Sequence, residues 1–259
     1  MFIDSHCHLN YLDDPPAALD AATAAGVDGM LCIGVEQKTI QQVLEFAREH
    51  PNVWATIGEH PGNATDDSSW IARTLQTEGV RPDESRPHHV VGVGEMGLDY
   101  YYEQDAEAQA KQRQSFAAQM ALAADFDLPV VIHTRDAVAD TLAILADFPS
   151  VKGVLHCFTE SWQMAEQAID RGYYISISGI VTFRQADNVR EVAARVPADR
   201  LLIETDAPWL APVPYRGKQN QPAYVSATAN FLSELRGVSV ESLAHQTSEN
   251  FFRLFSNAA

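Results

Sequence analysis

Short β-rich runs and longer helical stretches take turns along the whole of this chain. The β-rich runs are "MFIDSH", "GMLCIGV", "VWATIGEH", "VVGVGEMGL", "PVVIHTRD", "GVLHCFT", "YYISISGI" and "RLLIETDAP". Between them lie amphipathic or Ala-rich segments such as "PPAALDAATAAG", "KTIQQVLEFAREH" and "AEAQAKQRQSFAAQMALAADFD", with Gly, Pro and Asp at the breaks. Strict β-then-α alternation predicts a parallel sheet covered by helices. Eight such units of about 32 residues suit a closed (β/α)8 TIM barrel of roughly 250 residues, and the chain has 259. An open doubly wound sheet is the competing arrangement. No linker, repeat or low-complexity segment divides the sequence, so residues 1–259 read as a single domain. The most polar stretch, from "GNATDDSSW" to "ESRPHH", reads as the helix after the third strand plus an exposed loop, and the C-terminus as two or more closing helices.

Lys and Arg total 18 against 35 Asp and Glu, a net charge of −17. That balance argues against coating long duplex nucleic acid, whose affinity depends on neutralising many phosphates. It leaves room for gripping a chain end or a small phosphate ester, because a bound divalent metal adds positive charge outside the sequence total. Cys7, Cys32 and Cys157 lie in apolar runs with no paired spacing, which reads as reduced thiols. With no leader pattern and no apolar run of membrane-spanning length, the expected location is the cytoplasm.

In a barrel of this kind the working site forms where the strands end. The chain opens on Asp-x-His-x-His, and side chains two apart in a strand share a face, which predicts one polar row of Asp4, His6 and His8. The third strand ends with His60, the fourth with Glu95, the fifth with His133, the sixth with His156 and the eighth with Asp206. Five of nine histidines thus gather at one rim, and this concentration favours metal ligation over chance. Neutral imidazole with carboxylate suits Zn, Mn, Fe or Co, and a carboxylate-rich version admits Mg. Six ligands, His6, His8, Glu95, His133, His156 and Asp206, exceed what one catalytic metal needs, so two divalent ions are expected. Glu95, flanked by glycines in "GVGEMGLDYYY", is placed to bridge them.

The motifs "DSHCHL", "GVGEMGLDYYY", "VVIHTRDA", "VLHCFTES", "ISISGIVTFR", "LLIETDAPWLAPVPYRGKQNQPAYV" and "TSENFFRLF" resemble, in order and over nearly the whole chain, the TatD family of metal-dependent deoxyribonucleases within the amidohydrolase superfamily. The resemblance implies His6, His8, Glu95 and Asp206 around one metal, and Glu95, His133 and His156 around the other. It also implies a 3′-5′ exonuclease acting on single-stranded or frayed DNA ends, with no obligate protein partner. Two places depart from the family form: Glu59 stands before His60-Pro61, and Gln221 stands where an acid is common.

The expected chemistry is hydrolysis by metal-activated water. Asp206 is the candidate proton acceptor, and Glu204, two residues earlier on the same strand face, a proton relay or a buried structural carboxylate. Asp4 carries the same pair of readings. Arg135 is placed either to fork onto a phosphate or to pair with Asp136. Arg216 and Lys218 are further phosphate contacts, and His60 a substrate contact. Tyr100, Tyr101, Tyr102 and Trp209 either stack bases or pack. Cys7 and Cys157 are expected to face away into the core. Because metal-activated water also attacks carbonyls, a carboxylic ester or amide substrate, such as an aminoacylated tRNA, is the alternative.

Overall fold

In a computed structural model of the chain, which describes residues 1–65, 67–81 and 87–259, the alternation resolves into eight strands hydrogen-bonded in sequence order. They are β1 (Phe2–Cys7), β2 (Val27–Ile33), β3 (Val53–Ile57), β4 (Val90–Asp99), β5 (Val130–Arg135), β6 (Gly153–Leu155), β7 (Tyr174–Ile177) and β8 (Leu201–Ile203). Each neighbouring pair is parallel. A parallel bridge between Cys7 and Ala207 brings the segment after β8 against β1. The fold is therefore a (β/α)8 barrel rather than an open sheet. Part of the polar loop expected after the third strand falls on residues 66 and 82–86, outside the described residues.

The helices are α1 (Pro15–Ala24), α2 (Ile40–Glu49), α3 (Ser69–Thr77), α4 (Ala106–Phe126), α5 (Val138–Asp147), α6 (Trp162–Asp170), α7 (Asp187–Arg195), α8 (Val225–Arg236) and α9 (Val240–Leu254). Sequence sets their starts. Asp14 accepts from Ala17 N ahead of two prolines, and Asp105 accepts from Glu107 N and Ala108 N, satisfying donors that the helix leaves free.

Alternation along the strands divides the apolar residues into two layers. Ile3, Leu31, Trp54, Val91, Val131, Val154, Tyr174 and Leu202, one from each strand, form an inner cluster with Phe251 and Leu254 of α9 and Phe255 just past it. Met30, Ala55, Val93, Ile132, Leu155, Ile175 and Ile203 point outward into the cluster that the surrounding helices cover. Trp54 meets Phe251 with ring centroids 5.3 Å apart, so α9 plugs the end of the barrel where the strands begin. The opposite end is left for the polar residues.

Candidate metal centre

Glu95 sits in the middle of β4, 3% exposed, with the whole strand buried around it. The glycines beside it are what let a carboxylate reach this place. Gly94 and Gly97 both have φ +137, and a Cβ on Gly97 would lie 1.9 Å from His133 O, one on Gly94 2.5 Å from Val131 O. β4 and β5 pack closely only because those side chains are absent.

The two oxygens of Glu95 face two different groups of imidazoles. Oε1 lies 2.8 Å from His156 Nε2, 3.2 Å from His133 Nδ1 and 3.5 Å from His60 Nε2. Oε2 lies 3.4 Å from His6 Nε2 and 3.9 Å from His8 Nε2. Asp206 closes the second group, its Oδ1 3.5 Å from His8 Nε2 and 3.7 Å from His6 Nε2. It is carried there by the return of the chain to β1: Asp206 N donates to His6 O and His8 N to Ala207 O. His6 and His156 stack at 3.7 Å between centroids. Ligand atoms of His6, His156 and Asp206, of His6, His8 and Glu95, and of His60, Glu95 and His133 each lie within 4.8 Å of one another.

Charge follows from this crowding. Burial opposes ionisation of Glu95, but the imidazoles of His156 and His60, with hydrogen bonds from His133 and His156, hold its carboxyl well below the usual range. Burial likewise opposes the charge on His156, and Glu95 and Glu204 outweigh it, raising the imidazole well above its ordinary value. His60 lacks enough compensation, and burial pulls it down to about 4.

The donor set fits divalent cations on this geometry. His6 Nε2 and His8 Nε2 are only 3.2 Å apart and both face the carboxylates, while the Nδ1 atoms of both rings and Glu204 Oε2 are buried with no hydrogen-bond partner among the described residues. Neutral imidazole nitrogens and carboxylate oxygens are the ligands of Zn and Mn, and the carboxylates admit Mg.

All six residues of the expected ligand set converge, and His60, read from sequence as a substrate contact, joins the Glu95 and His133 group. Several other placements differ from expectation. β3, β6 and β8 end early, so His60, His156, Glu204 and Asp206 stand on loops just past the strands. Glu204 is consequently not stacked beneath Asp206; its Oε1 reaches His156 Nδ1 at 3.3 Å and accepts from Cys157 N at 2.7 Å. Asp4 leaves the row of His6 and His8, because the β1–β2 pairing slips between Asp4 and Cys7. Its oxygens accept from Thr205 N and Oγ1 instead, and burial pushes its carboxyl up to about 8 against those bonds. Cys157 does not face the core. Its backbone turns at φ 43 and its side chain lines the cavity, whereas Cys7 is fully buried.

Above the cluster lies a cavity of about 770 Å³ whose lining includes Tyr11, Tyr102, Arg135 and Trp209. Arg135 does not pair with Asp136. Its guanidinium lies 3.8 Å from the centroid of Tyr101, with no hydrogen-bond or ion-pair partner among the described residues. Arg216 and Lys218 are not in the lining; Arg216 lies over Phe183 and donates to Ala211 O. Glu59 points away from His60, accepting from Thr65, Ser68 and Ser115.

Asp99 escaped the sequence reading. Its Oδ2 is 3.1 Å from His133 Nε2, across the ring from the nitrogen that faces Glu95. The signal was available: positions 95, 97 and 99 share one strand face, and only Asp99 and Glu95 carry side chains that bind imidazole.

The sequence profile of the TatD related DNases matches residues 3–256. The chain belongs to that family. Among TatD-family proteins, a relative from Escherichia coli K12 named "Uncharacterized metal-dependent hydrolase YcfH" is 44% identical over 263 residues, covering 98% of this chain and 95% of the relative. One from Erwinia tasmaniensis, named "3'-5' ssDNA/RNA exonuclease TatD", is 38% identical over 255 residues, covering 95% of each. The crystal structure of the TatD homolog YJJV from Escherichia coli K12 superposes with a TM-score of 0.87 at 32% identity, covering 98% of each chain. The TatD family thus includes metal-dependent hydrolases, and no helix among the described residues is long and apolar enough to cross a membrane.

Proposed function

We propose that this protein is a metal-dependent phosphodiester hydrolase of the cytoplasm that removes nucleotides from the 3′ end of single-stranded or frayed DNA, with residues 1–259 acting as one unit. The observation that carries the reading is the division of Glu95: one oxygen toward His133, His156 and His60, the other toward His6 and His8. A carboxylate so placed suits two cations, one held with His6, His8 and Asp206, the other with His133, His156 and His60. Divalent ions bound there supply Lewis acidity to the phosphoryl group and lower the pKa of water.

The chain's own residues do the rest. Asp206, at the open side of the cluster, takes the proton of the attacking water. Burial opposes its charge, but His8 and His6 hold its carboxyl below the usual range, so it is ionised and ready to accept. Asp99 orients His133, and Glu204 orients His156, each through the ring nitrogen away from Glu95. Arg135 offers the edge of its guanidinium to a phosphate oxygen. The relative from Erwinia tasmaniensis, by its name an exonuclease, supports the choice of bond.

The test is a side-by-side assay of cation-stripped and Mg-, Mn- or Zn-loaded protein on end-labelled single strands, duplex, covalently closed single-stranded circles and an aminoacylated tRNA. Hydrolysis of linear single strands, dependent on cation and much faster than that of circles, is expected. Full activity in lasting chelator, or deacylation of the tRNA with no cutting of DNA, would overturn the reading. Equal rates on circles and linear strands would overturn end entry alone.

A further inference from the structure

Seven large hydrophobic side chains stand exposed among the described residues, and four of them, Tyr101, Tyr102, Trp209 and Val213, follow β4 or β8 at the mouth of the barrel. Strands run around the ring in sequence order, with the segment after β8 bridged to β1. The seam between β4 and β5 is therefore four strands from the seam between β8 and β1 in either direction, which sets the two on opposite sides.

At the first seam, Tyr102 is 77% exposed and Arg135 lies over Tyr101, 3.8 Å from its centroid and 5.0 Å from that of Tyr102. At the second, Trp209 is 50% exposed, 5.8 Å from Tyr11 and 5.2 Å from His8 between centroids. Tyr102, Arg135, Tyr11 and Trp209 line one cavity together with Glu95, His133 and His156. The polar cluster thus lies between two aromatic walls.

We infer that the two walls are base-stacking subsites on either side of the scissile phosphate, so that the working substrate is a pair of nucleotides whose bases are splayed onto opposite walls. This deepens the phosphodiesterase reading and rests on it. Aromatic faces stack any base and carry no sequence code, which suits a site made to consume a strand from its end. Stacking on Tyr101 occupies one face of the Arg135 guanidinium and leaves its N–H edges for the phosphate between the bases. Neighbouring bases of a duplex rise only about 3.4 Å apart and stack on each other. Bases held on opposite walls of the cavity cannot keep that mutual stacking. On this account, rejection of paired DNA comes from the walls as well as from end entry.

The experiment crosses two deletions. Metal-loaded wild type, Trp209→Ala and Tyr102→Ala are given 5′-labelled single strands, either intact or abasic at the terminal or the penultimate nucleotide, and kcat/KM of the first cleavage is read. Each alanine variant is expected to lose about 10-fold on the intact strand. That loss should vanish on the one abasic strand that already lacks the base belonging to that wall, and the two variants should select different positions. Trp209→Phe and Tyr102→Phe should stay within about 3-fold of wild type. Losses that persist on both abasic strands, or both variants pairing with the same base, would overturn the two-wall arrangement while leaving the nuclease reading intact. Failure of the wild type to cut any oligonucleotide would overturn the nuclease reading and this inference with it.

Discussion

At the end of the barrel where the strands begin, Trp54 packs on Phe251, and Phe251 packs on Phe255 with centroids 4.9 Å apart, while Ile3 and Leu202 fill in beside them. At the other end, the same strands and the loops just past them deliver His6, His8, His60, Glu95, His133, His156 and Asp206 into one cluster. A single strand spans both regimes: β1 passes from Ile3 to His6, and β5 from Val131 to His133. One end gains stability from burying apolar area. The other gathers buried charge and imidazole at a cost in desolvation that only a ligand or a mutual pairing offsets. Stability and function in this molecule are separated along the strand axis, as expected for a barrel whose working face is where the strands end.

The sharpest way to break that separation is a pair of substitutions, one at each end. Glu95→Gln removes the charge shared by the two imidazole groups and should reduce turnover by on the order of 10³-fold, several kcal/mol of lost charge stabilisation. Its thermal midpoint should move less than that of Phe251→Ala, which opens a hole beneath Trp54. The latter should cost about 3–5 kcal/mol in unfolding free energy, with kcat per folded molecule unchanged. Denaturant titration and steady-state kinetics on both variants decide the matter. A Phe251→Ala protein that is stable but inactive would mean that the plug, too, belongs to the site.

Asp99 sharpens the comparison at intermediate scale. It touches His133 only through the nitrogen turned away from Glu95, so Asp99→Asn leaves the facing nitrogen in place while weakening its orientation. A loss of 10- to 100-fold in metal affinity or activity, roughly the effect of removing an outer hydrogen-bond partner, is expected. Competition with a fluorescent chelator reads the affinity directly. Unchanged affinity would show that packing alone holds the ring.

Why the sequence disclosed one end so fully and the other only in part is visible in particular residues. Alternation of β-rich and helical runs follows from burial, so all eight strands could be read, and the polar residues after them stood out against apolar surroundings. Side-chain direction past the last ladder hydrogen bond could not be read the same way. Alternation predicts that Asp4 joins His6 and that Glu204 lies under Asp206, but a slip in the β1–β2 pairing turns Asp4 toward Thr205, and β8 stops at Ile203. Cys157, at positive φ, is turned into the cavity by a backbone conformation that nothing in "VLHCFT" announces. The period of two holds only where the ladder runs without a slip, and the misread residues lie at such a slip or just past the end of a strand.

The smallest effect is predicted on α9 itself, the helix whose inner face forms the plug. His245 lies on its outer face, its side chain 75% exposed, with Nε2 3.3 Å from Glu249 Oε1 one turn on. An exposed pair at that spacing contributes about 0.3–0.5 kcal/mol at most, because solvent and salt screen it and two side chains must be held to form it. Substitutions at such places stay within about 0.5 kcal/mol either way. His245→Ala should therefore leave both the denaturant midpoint and kcat within error of wild type, although it removes an imidazole from the same helix whose Phe251 packs against Trp54. A loss approaching that of Phe251→Ala would show that the outer face of α9 is buried in solution, against a second copy of the chain or another partner. The division between a solvated and a packed face of this helix would then have to be redrawn.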